Sequence, residues 1–277
     1  MRGAALALAL CAAAVAAPAA AAAPPAFASA RPTARVEYWE RRQAEIGARL
    51  ADRAGLSAVR LVFVGDSITD FWLLDDNPWV KGQKFGRQVW DESFAGSAPE
   101  NLALNIGISG DRLEHVLYRI QPRADGGLGQ LDAPELAPEF FVVMLGINNT
   151  WAAEEPVVDS VFAGVQAVLE ALHARKPKAR IILQSLLPTM EPAKNAQVVR
   201  PVNQRLQALA ASAAFAGFTN WLDLYPSFVN AAGEQIGEDF NDGLHPNAAG
   251  YRVWRDRLLP VLRSARANPF LIDRGPP

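Results

Sequence analysis

The sequence predicts an α/β protein in which a five-stranded parallel sheet is covered by helices on both faces. Three observations carry that reading. Short apolar runs recur at 60–64, 102–106, 140–145, 180–187 and 218–224. Continuous rather than alternating apolarity suits strands buried on both sides. Stretches of helical periodicity separate the runs, the alternation from which parallel strands and crossover helices are built. No internal repeat and no Gly/Ser linker divides the 277 residues, so the chain reads as one domain with generous loops.

Each element has its own signal. A helix is expected over 36–51, with Trp39, Ile46 and Leu50 on one stripe. The first strand, Arg60-Leu61-Val62-Phe63-Val64, is stopped by Gly65. The clearest helix lies between the third and fourth runs, where Val158, Val161, Phe162, Val165, Leu169 and Leu172 follow the i, i+3, i+4, i+7 rule. Pro156 sits where a first helical turn accepts proline. Another helix covers 199–213, and Tyr251, Trp254, Leu258 and Leu262 stripe the last one, which Pro260 is able to kink.

The two ends stand apart from this domain. Met1-Arg2, then an Ala/Leu run over 4–17 broken by Pro18, has the layout of a secretory signal peptide. Ala21-Ala22-Ala23 or Ala28-Ser29-Ala30 offers small residues for cleavage, and the boundary is drawn after residue 30. An uncleaved anchor is the alternative, although the run is shorter and less apolar than a span requires. An exported protein, periplasmic or extracellular, with no stable membrane insertion is therefore expected. The only cysteine, Cys11, lies inside that run, so the domain over 31–267 has no thiolate and no disulfide. A lipid on Cys11 is the other option. Residues 268–277 read as a poorly ordered tail.

Composition narrows the function. Charged residues make up 20% and hydrophobic ones 50%, which excludes wholesale disorder. Lys plus Arg number 27 against 29 Asp plus Glu, so a basic face for nucleic-acid phosphates is not expected. Neither H-E-x-x-H nor G-x-G-x-x-G occurs, and no metal or cofactor is expected.

Ligand sites in open parallel sheets gather at the carboxyl ends of the strands, which directs attention to four blocks. After the first strand comes Gly65-Asp66-Ser67-Ile68-Thr69. Ser67 there stands on a strand-to-helix turn, as a candidate nucleophile or as a plain helix cap. After the second comes Asn105-Ile106-Gly107-Ile108-Ser109-Gly110-Asp111, where Gly110 could aim its N–H at a developing oxyanion or simply form a flexible loop. After the third comes Gly146-Ile147-Asn148-Asn149-Thr150. The Asn148 amide is a neutral donor suited to the same oxyanion, with turn chemistry as the alternative. The Asn-Asn-Thr glycosylation match is discounted, because it would fall in a crevice. The fourth block, Asn241-Asp242-Gly243-Leu244-His245-Pro246-Asn247, places a carboxylate and an imidazole three residues apart. Asp242 can then fix the His245 tautomer and leave the other ring nitrogen to act as a base. His115, opposite the Leu113, Val116, Leu117, Ile120 stripe, is expected to face solvent, and His173 to sit near a helix end.

Taken in order, Gly65-Asp66-Ser67, Gly110, Gly146-x-Asn148 and Asp242-x-x-His245 resemble the SGNH (GDSL) hydrolase family over about 60–262. Asn105–Asp111, the stretch from His115 to Arg119 and Gly146–Thr150 are most similar to the catalytic subunits of platelet-activating factor acetylhydrolase IB and their bacterial relatives. Asn149 departs from the broader family, where Asp is frequent. The resemblance implies a three-layer αβα sandwich of the flavodoxin-like kind. It also implies hydrolysis of acyl esters, with Ser67 as nucleophile, His245 as general acid and base, and Asp242 as its orienting carboxylate. The oxyanion donors would be the Ser67 N–H, the Gly110 N–H and the Asn148 amide, with no cofactor.

A further stretch, Phe71–Trp90, holds Phe71, Trp72, Trp79, Phe85 and Trp90 among polar residues. It is expected near the rim of the crevice, either as a platform for sugar rings or as local core. Together with export and the acetyl-ester cleavage implied by the resemblance, it suggests a short-chain, acetyl-type esterase acting on small-molecule or saccharide esters. A lipase, a thioesterase or a phospholipid-type acetylhydrolase on the same residues stays open, as does a non-catalytic carbohydrate-binding protein.

Overall fold

The computed structural model describes residues 27–35, 38–151 and 154–268. The expected signal peptide up to 26, Cys11 within it, and the tail from 269 lie outside the described residues. Five strands form: β1 (Leu61–Gly65), β2 (Ala103–Asn105), β3 (Phe140–Met144), β4 (Arg180–Gln184) and β5 (Thr219–Leu222). Every pairing is parallel, in the order β2-β1-β3-β4-β5. β1 and β3 are buried at every position, which is why they appear as unbroken apolar runs. The fourth run outlasts its strand because Leu186 and Leu187 stay buried in the loop beyond it.

Helices cover both faces of the sheet. They are α1 (Tyr38–Ala51), α2 (Arg87–Ser93), α3 (Leu113–Ile120), α4 (Val157–Arg175), α5 (Arg200–Ala211) and α6 (Ala248–Ala267). α4 packs between α3 and α5, while α2 packs on α6. The stripe read for α4 is its buried side, with Val161, Val165, Leu169 and Leu172 at 1% exposure or less. Pro156 caps α4 from just outside, and α6 runs through Pro260 without a break.

The packed fold reaches back past the expected boundary at residue 30. Ala28–Ala30 form a single turn against α4. There Ser29 is buried, and its Oγ donates to Ser160 O at 2.7 Å. Gly164 makes room for this turn, since a Cβ there would lie 2.8 Å from Ser29 O.

The aromatic stretch is chiefly core. Phe71, Trp72, Phe85 and Trp90 are all at most 5% exposed. Phe63 of β1 meets Trp72, Trp90 and Phe94 edge-on, and Trp72 touches Tyr251 and Trp254 of α6. Edge-on packing of this kind adds roughly 0.5–1.5 kcal/mol per pair beyond the burial itself. Trp79 alone among the five stands in solvent, 66% exposed.

Chain order turns back at β1, which has β2 on one side and β3 on the other. Such a reversal opens a crevice at the carboxyl ends of the two central strands. Ser67 follows β1 and Asn148 follows β3, so the two blocks flank the crevice.

Candidate active site

The turn after β1 is shaped by crowding. A Cβ at Gly65 would lie 2.0 Å from Thr69 Oγ1 and 2.7 Å from Met144 O, so only glycine fits. Asp66 then caps the short helix Ser67–Asp70, its Oδ1 accepting from Ile68 N at 3.0 Å. Tyr251 of α6 donates its hydroxyl to Ile68 O at 2.7 Å and ties the last helix to the turn. Ser67 is 4% exposed.

His245 reaches Ser67 from a loop 178 positions away in sequence, Nε2 lying 2.8 Å from Oγ. Its Nδ1 lies 2.7 Å from Asp242 Oδ2. The carboxylate accepts from Nδ1–H, which leaves Nε2 free to accept from the Ser67 hydroxyl. Asp242 Oδ1 meanwhile accepts from the N–H groups of Leu244 and His245 at 3.0 and 2.8 Å. Burial pushes the Asp242 carboxyl up, but these hydrogen bonds, led by the His245 side chain, outweigh it and bring it down to about 2. Asp242 is thus ionised across the neutral range. The Phe71 ring backs the imidazole, 4.9 Å away between centroids.

The loop 105–111 is held from beneath by three arginines. Arg42 donates to Asn105 O and Gly107 O, Arg119 to Ile106 O, and Arg35 to Ser109 O. Each also meets a carboxylate: Arg42 pairs with Asp70 at 2.8 Å, Arg119 with Asp111 at 2.8 Å and Arg35 with Asp111 at 3.2 Å. Asp70 returns to the loop by accepting from Ser109 N at 2.9 Å. Gly110 follows, exposed and at φ +78°, where a Cβ would strike Arg35 Nη2 at 2.7 Å. Four consecutive-region carbonyls are therefore immobilised just before Gly110. Asp111 O then accepts from Asn148 Nδ2 at 2.8 Å, which anchors one amide N–H of Asn148 and leaves its second to be directed elsewhere.

Asn149 is buried and faces the other way. Its Oδ1 accepts from Leu113 N at 3.0 Å, and its Nδ2 donates to Glu114 Oε2 at 2.8 Å. An aspartate there could keep the first contact but would face the Glu114 carboxylate with another, which accounts physically for an amide at this position.

Ser67, His245 and Asp242 are thus joined in one hydrogen-bonded series, and the Gly110 loop is linked to Asn148 through Asp111. The model of the GDSL-like lipase/acylhydrolase family matches residues 63–253, most of the chain. The chain belongs to that family. It is a carboxylic ester hydrolase. Among curated relatives, platelet-activating factor acetylhydrolase IB subunit alpha1 of Pongo abelii is 31% identical over 223 residues, covering 78% of this chain and 83% of the relative. A GDSL-like lipase from Bacteroides thetaiotaomicron shares the fold at TM-score 0.55 and 20% identity, covering 82% of this chain and 98% of its own. A carbohydrate esterase family 3 protein from Talaromyces cellulolyticus does so at TM-score 0.52 and 19% identity, over 76% and 99%.

Two histidines of this GDSL-like hydrolase lie outside the site. His115 does not face solvent as expected. It is half-buried, its Nδ1 accepting from Arg112 N at 3.1 Å, and burial with the nearby Arg35, Arg112 and Arg119 pushes it down to about 4. The stripe argument failed because α3 also packs its flank on the arginine-held loop. His173, in the last turn of α4 as expected, stacks on Phe218 at 3.8 Å.

Sequence reasoning missed the arginine clamp, the Phe71 backing and the Tyr251 tie. Arg119 left one signal, a charge set between Val116 and Ile120 on the apolar side of its helix. Asp66 carries a second unforeseen property. It is 1% exposed and its Oδ2 has no hydrogen-bond partner. Burial pushes its carboxyl up to about 7, against the Ile68 N–H and His245, with Asp111 adding to the rise. The folded chain therefore keeps a proton that the unfolded chain has lost between about pH 4 and 7. Because the folded state binds more protons there, stability falls as pH climbs through that window. Asp66→Asn retains an acceptor for Ile68 N and abolishes the titration. Urea unfolding at pH 4.5 and pH 8 should show the wild type losing on the order of 3 kcal/mol more than the Asn variant. Equal losses in both would refute the buried-carboxyl account.

Proposed function

We propose that this protein is an exported serine esterase that removes short acyl groups, acetyl above all, from saccharides. The Ser67–His245–Asp242 series, with links of 2.8 and 2.7 Å, carries the reading. The Ser67 oxygen attacks the ester carbonyl while His245 Nε2 takes its proton. Negative charge gathers on the carbonyl oxygen and is held by the Ser67 N–H, the Gly110 N–H and the free Asn148 amide N–H. The tetrahedral centre collapses, the alcohol leaves with the proton from His245, and an acyl-serine remains. Water, deprotonated by the same imidazole, attacks that acyl group and releases the acid, returning the proton to Ser67.

The acetyl assignment draws support from relatives that are named acetylhydrolases at 31% identity, and the saccharide from the fold shared with a carbohydrate esterase. Export rests on the Ala/Leu run. Of the two cleavage positions, the one after Ala23 leaves the Ser29 contacts on α4 in place.

A chain-length series tests the specificity. The expected result is a kcat/KM on p-nitrophenyl acetate at least about tenfold above the octanoate, a difference of ~1.4 kcal/mol, with acetate released from acetylated saccharides. A preference for octanoate points instead to a lipase. A fluorophosphonate should label Ser67, as peptide mass spectrometry would show. A non-catalytic saccharide-binding protein would stay unlabelled.

A further inference from the structure

Among the described residues, the large apolar side chains exposed to solvent are Trp79, Val80, Trp151 and Met190. Trp79, Trp151 and Met190 each sit on or against a segment that carries a residue of the Ser67–His245 site. Met190 N donates to Gly243 O at 3.0 Å, two residues before His245. Trp151 ends the 3₁₀ turn that carries Asn148, and residues three apart in such a turn project on the same side. Trp79 lies 5.5 Å from Phe71, whose ring is the one backing His245.

The backbone at Trp79 is held by polar contacts. Asn77 Oδ1 accepts from the N–H groups of Trp79 and Val80 at 2.8 and 3.2 Å, and Asn77 Nδ2 donates to Gln83 Oε1 at 2.7 Å. Gln83 Nε2 in turn donates to Asn241 O, and Asn241 Nδ2 to Lys84 O, both at 3.1 Å. Since Asn241 adjoins Asp242, the backbone at Trp79 is tied to the loop that carries Asp242 and His245. An aromatic side chain on a fixed backbone has only two rotatable bonds to order when a ligand settles on it.

From this the geometry points to Trp79 as the stacking platform for the alcohol half of the substrate, an uncharged sugar ring; this rests on the esterase reading above. The side follows from the chemistry. The leaving alcohol takes its proton from His245 Nε2, so it lies on the His245 side of the site, the side to which Trp79 is joined through Phe71. The lack of charge follows from the loop. Asp75 and Asp76 both pair with Lys84, at 3.3 and 2.7 Å, and with Lys81 the acids and bases over 75–84 balance. Neither a phosphate headgroup nor an acidic sugar gains attraction there. A lipid chain would need a continuous apolar groove, whereas Trp79 stands in a segment whose other side chains include Asp75, Asp76, Asn77, Gln83 and Lys84. Such a setting suits the C–H face of a pyranose with its hydroxyls at the rim.

The test compares Trp79→Ala and Trp79→Phe with the wild type on acetylated xylotriose and on ethyl acetate, which has no ring to stack. For Trp79→Ala, KM on the saccharide should rise about tenfold with kcat within about twofold, while KM on ethyl acetate rises less than about threefold. That tenfold corresponds to ~1.4 kcal/mol of stacking. The Phe variant should recover most of the loss. Equal losses on both substrates, or an unchanged saccharide KM, would overturn the platform. So would a Trp79→Ala loss seen on an acetylated phospholipid but not on the saccharide. A wild type that cleaves ethyl acetate but no acetylated saccharide defeats the sugar assignment alone, whereas one inert toward both defeats the esterase reading beneath it.

Discussion

Ser67→Ala is expected to lower kcat on a chromogenic acetate by roughly 10⁴- to 10⁶-fold while the protein stays folded. On the proposed mechanism the substitution removes the atom that forms the acyl intermediate, the Ser67 Oγ that His245 Nε2 meets at 2.8 Å. What survives is the slower reaction of water in a site that still binds the ester and its oxyanion. The fold should persist for a local reason. Ser67 opens its short helix, but the cap is Asp66 and the tie to α6 runs through Ile68 O, so neither depends on the hydroxyl. Steady-state kinetics beside a thermal melt decide the matter. An alanine variant within tenfold of the wild type would remove Ser67 from the reaction.

Arg119→Met should cost about 3–5 kcal/mol in stability and, in the fraction that folds, roughly 10² in kcat. Arg119 is fully buried and makes three contacts at once: Asp111 Oδ2, Ile106 O and Gln130 Oε1, at 2.8, 2.8 and 2.7 Å. Its loss leaves the Asp111 carboxylate, itself at 0% exposure, with Arg35 as its remaining cationic partner at 3.2 Å. Asp111 O is also the anchor of Asn148, so a shift there moves both Gly110 and the Asn148 amide. Misplacement of about 1 Å is enough for a hundredfold loss. The effect should fall on kcat and spare KM if these donors, as proposed, meet charge that develops only during the reaction. Arg119→Lys, which keeps a positive charge against Asp111 but not the fork, serves as the variant that folds. It should share the kcat loss at smaller cost in stability. A folded Lys variant with kcat unchanged would show that the clamp does not position the loop.

The clamp also marks where reading the chain stopped. The sheet was legible because β1 and β3 are buried on both faces and carry unbroken apolar runs, a property of each strand by itself. The Asp242–His245 pair was legible for a similar reason: three residues in one turn set the contact whatever surrounds it. Asn148 and Gly110 were nominated by lying after strands, in blocks whose order matched a known pattern.

Arg42 and Arg119, by contrast, sit on helices where charges ordinarily face water. They are buried because Asp70 and Asp111, from separate segments, meet them across the loop. The aromatic stretch shows the same division. Nothing within Phe71–Trp90 distinguishes Trp72 from Trp79, yet Trp72 is sealed by Tyr251 and Trp254 of α6, while among the described residues the ring contact of Trp79 is with Phe71 and the indole stays 66% exposed.

By itself the sequence determined the strand order of chemistry along the chain, the αβα class, the local acid–base pair and the family. Each of these depends on periodicity or on neighbours within a turn. The tertiary structure alone decided that His245 meets Ser67 across 178 positions, that Arg42, Arg119 and the partly exposed Arg35 hold the loop before Gly110, and that Trp79 remains in solvent. Those outcomes depend on which distant segments cover each residue: burial turns a charge or an aromatic ring of ordinary type into a clamp or a core, and its absence leaves Trp79 in solvent.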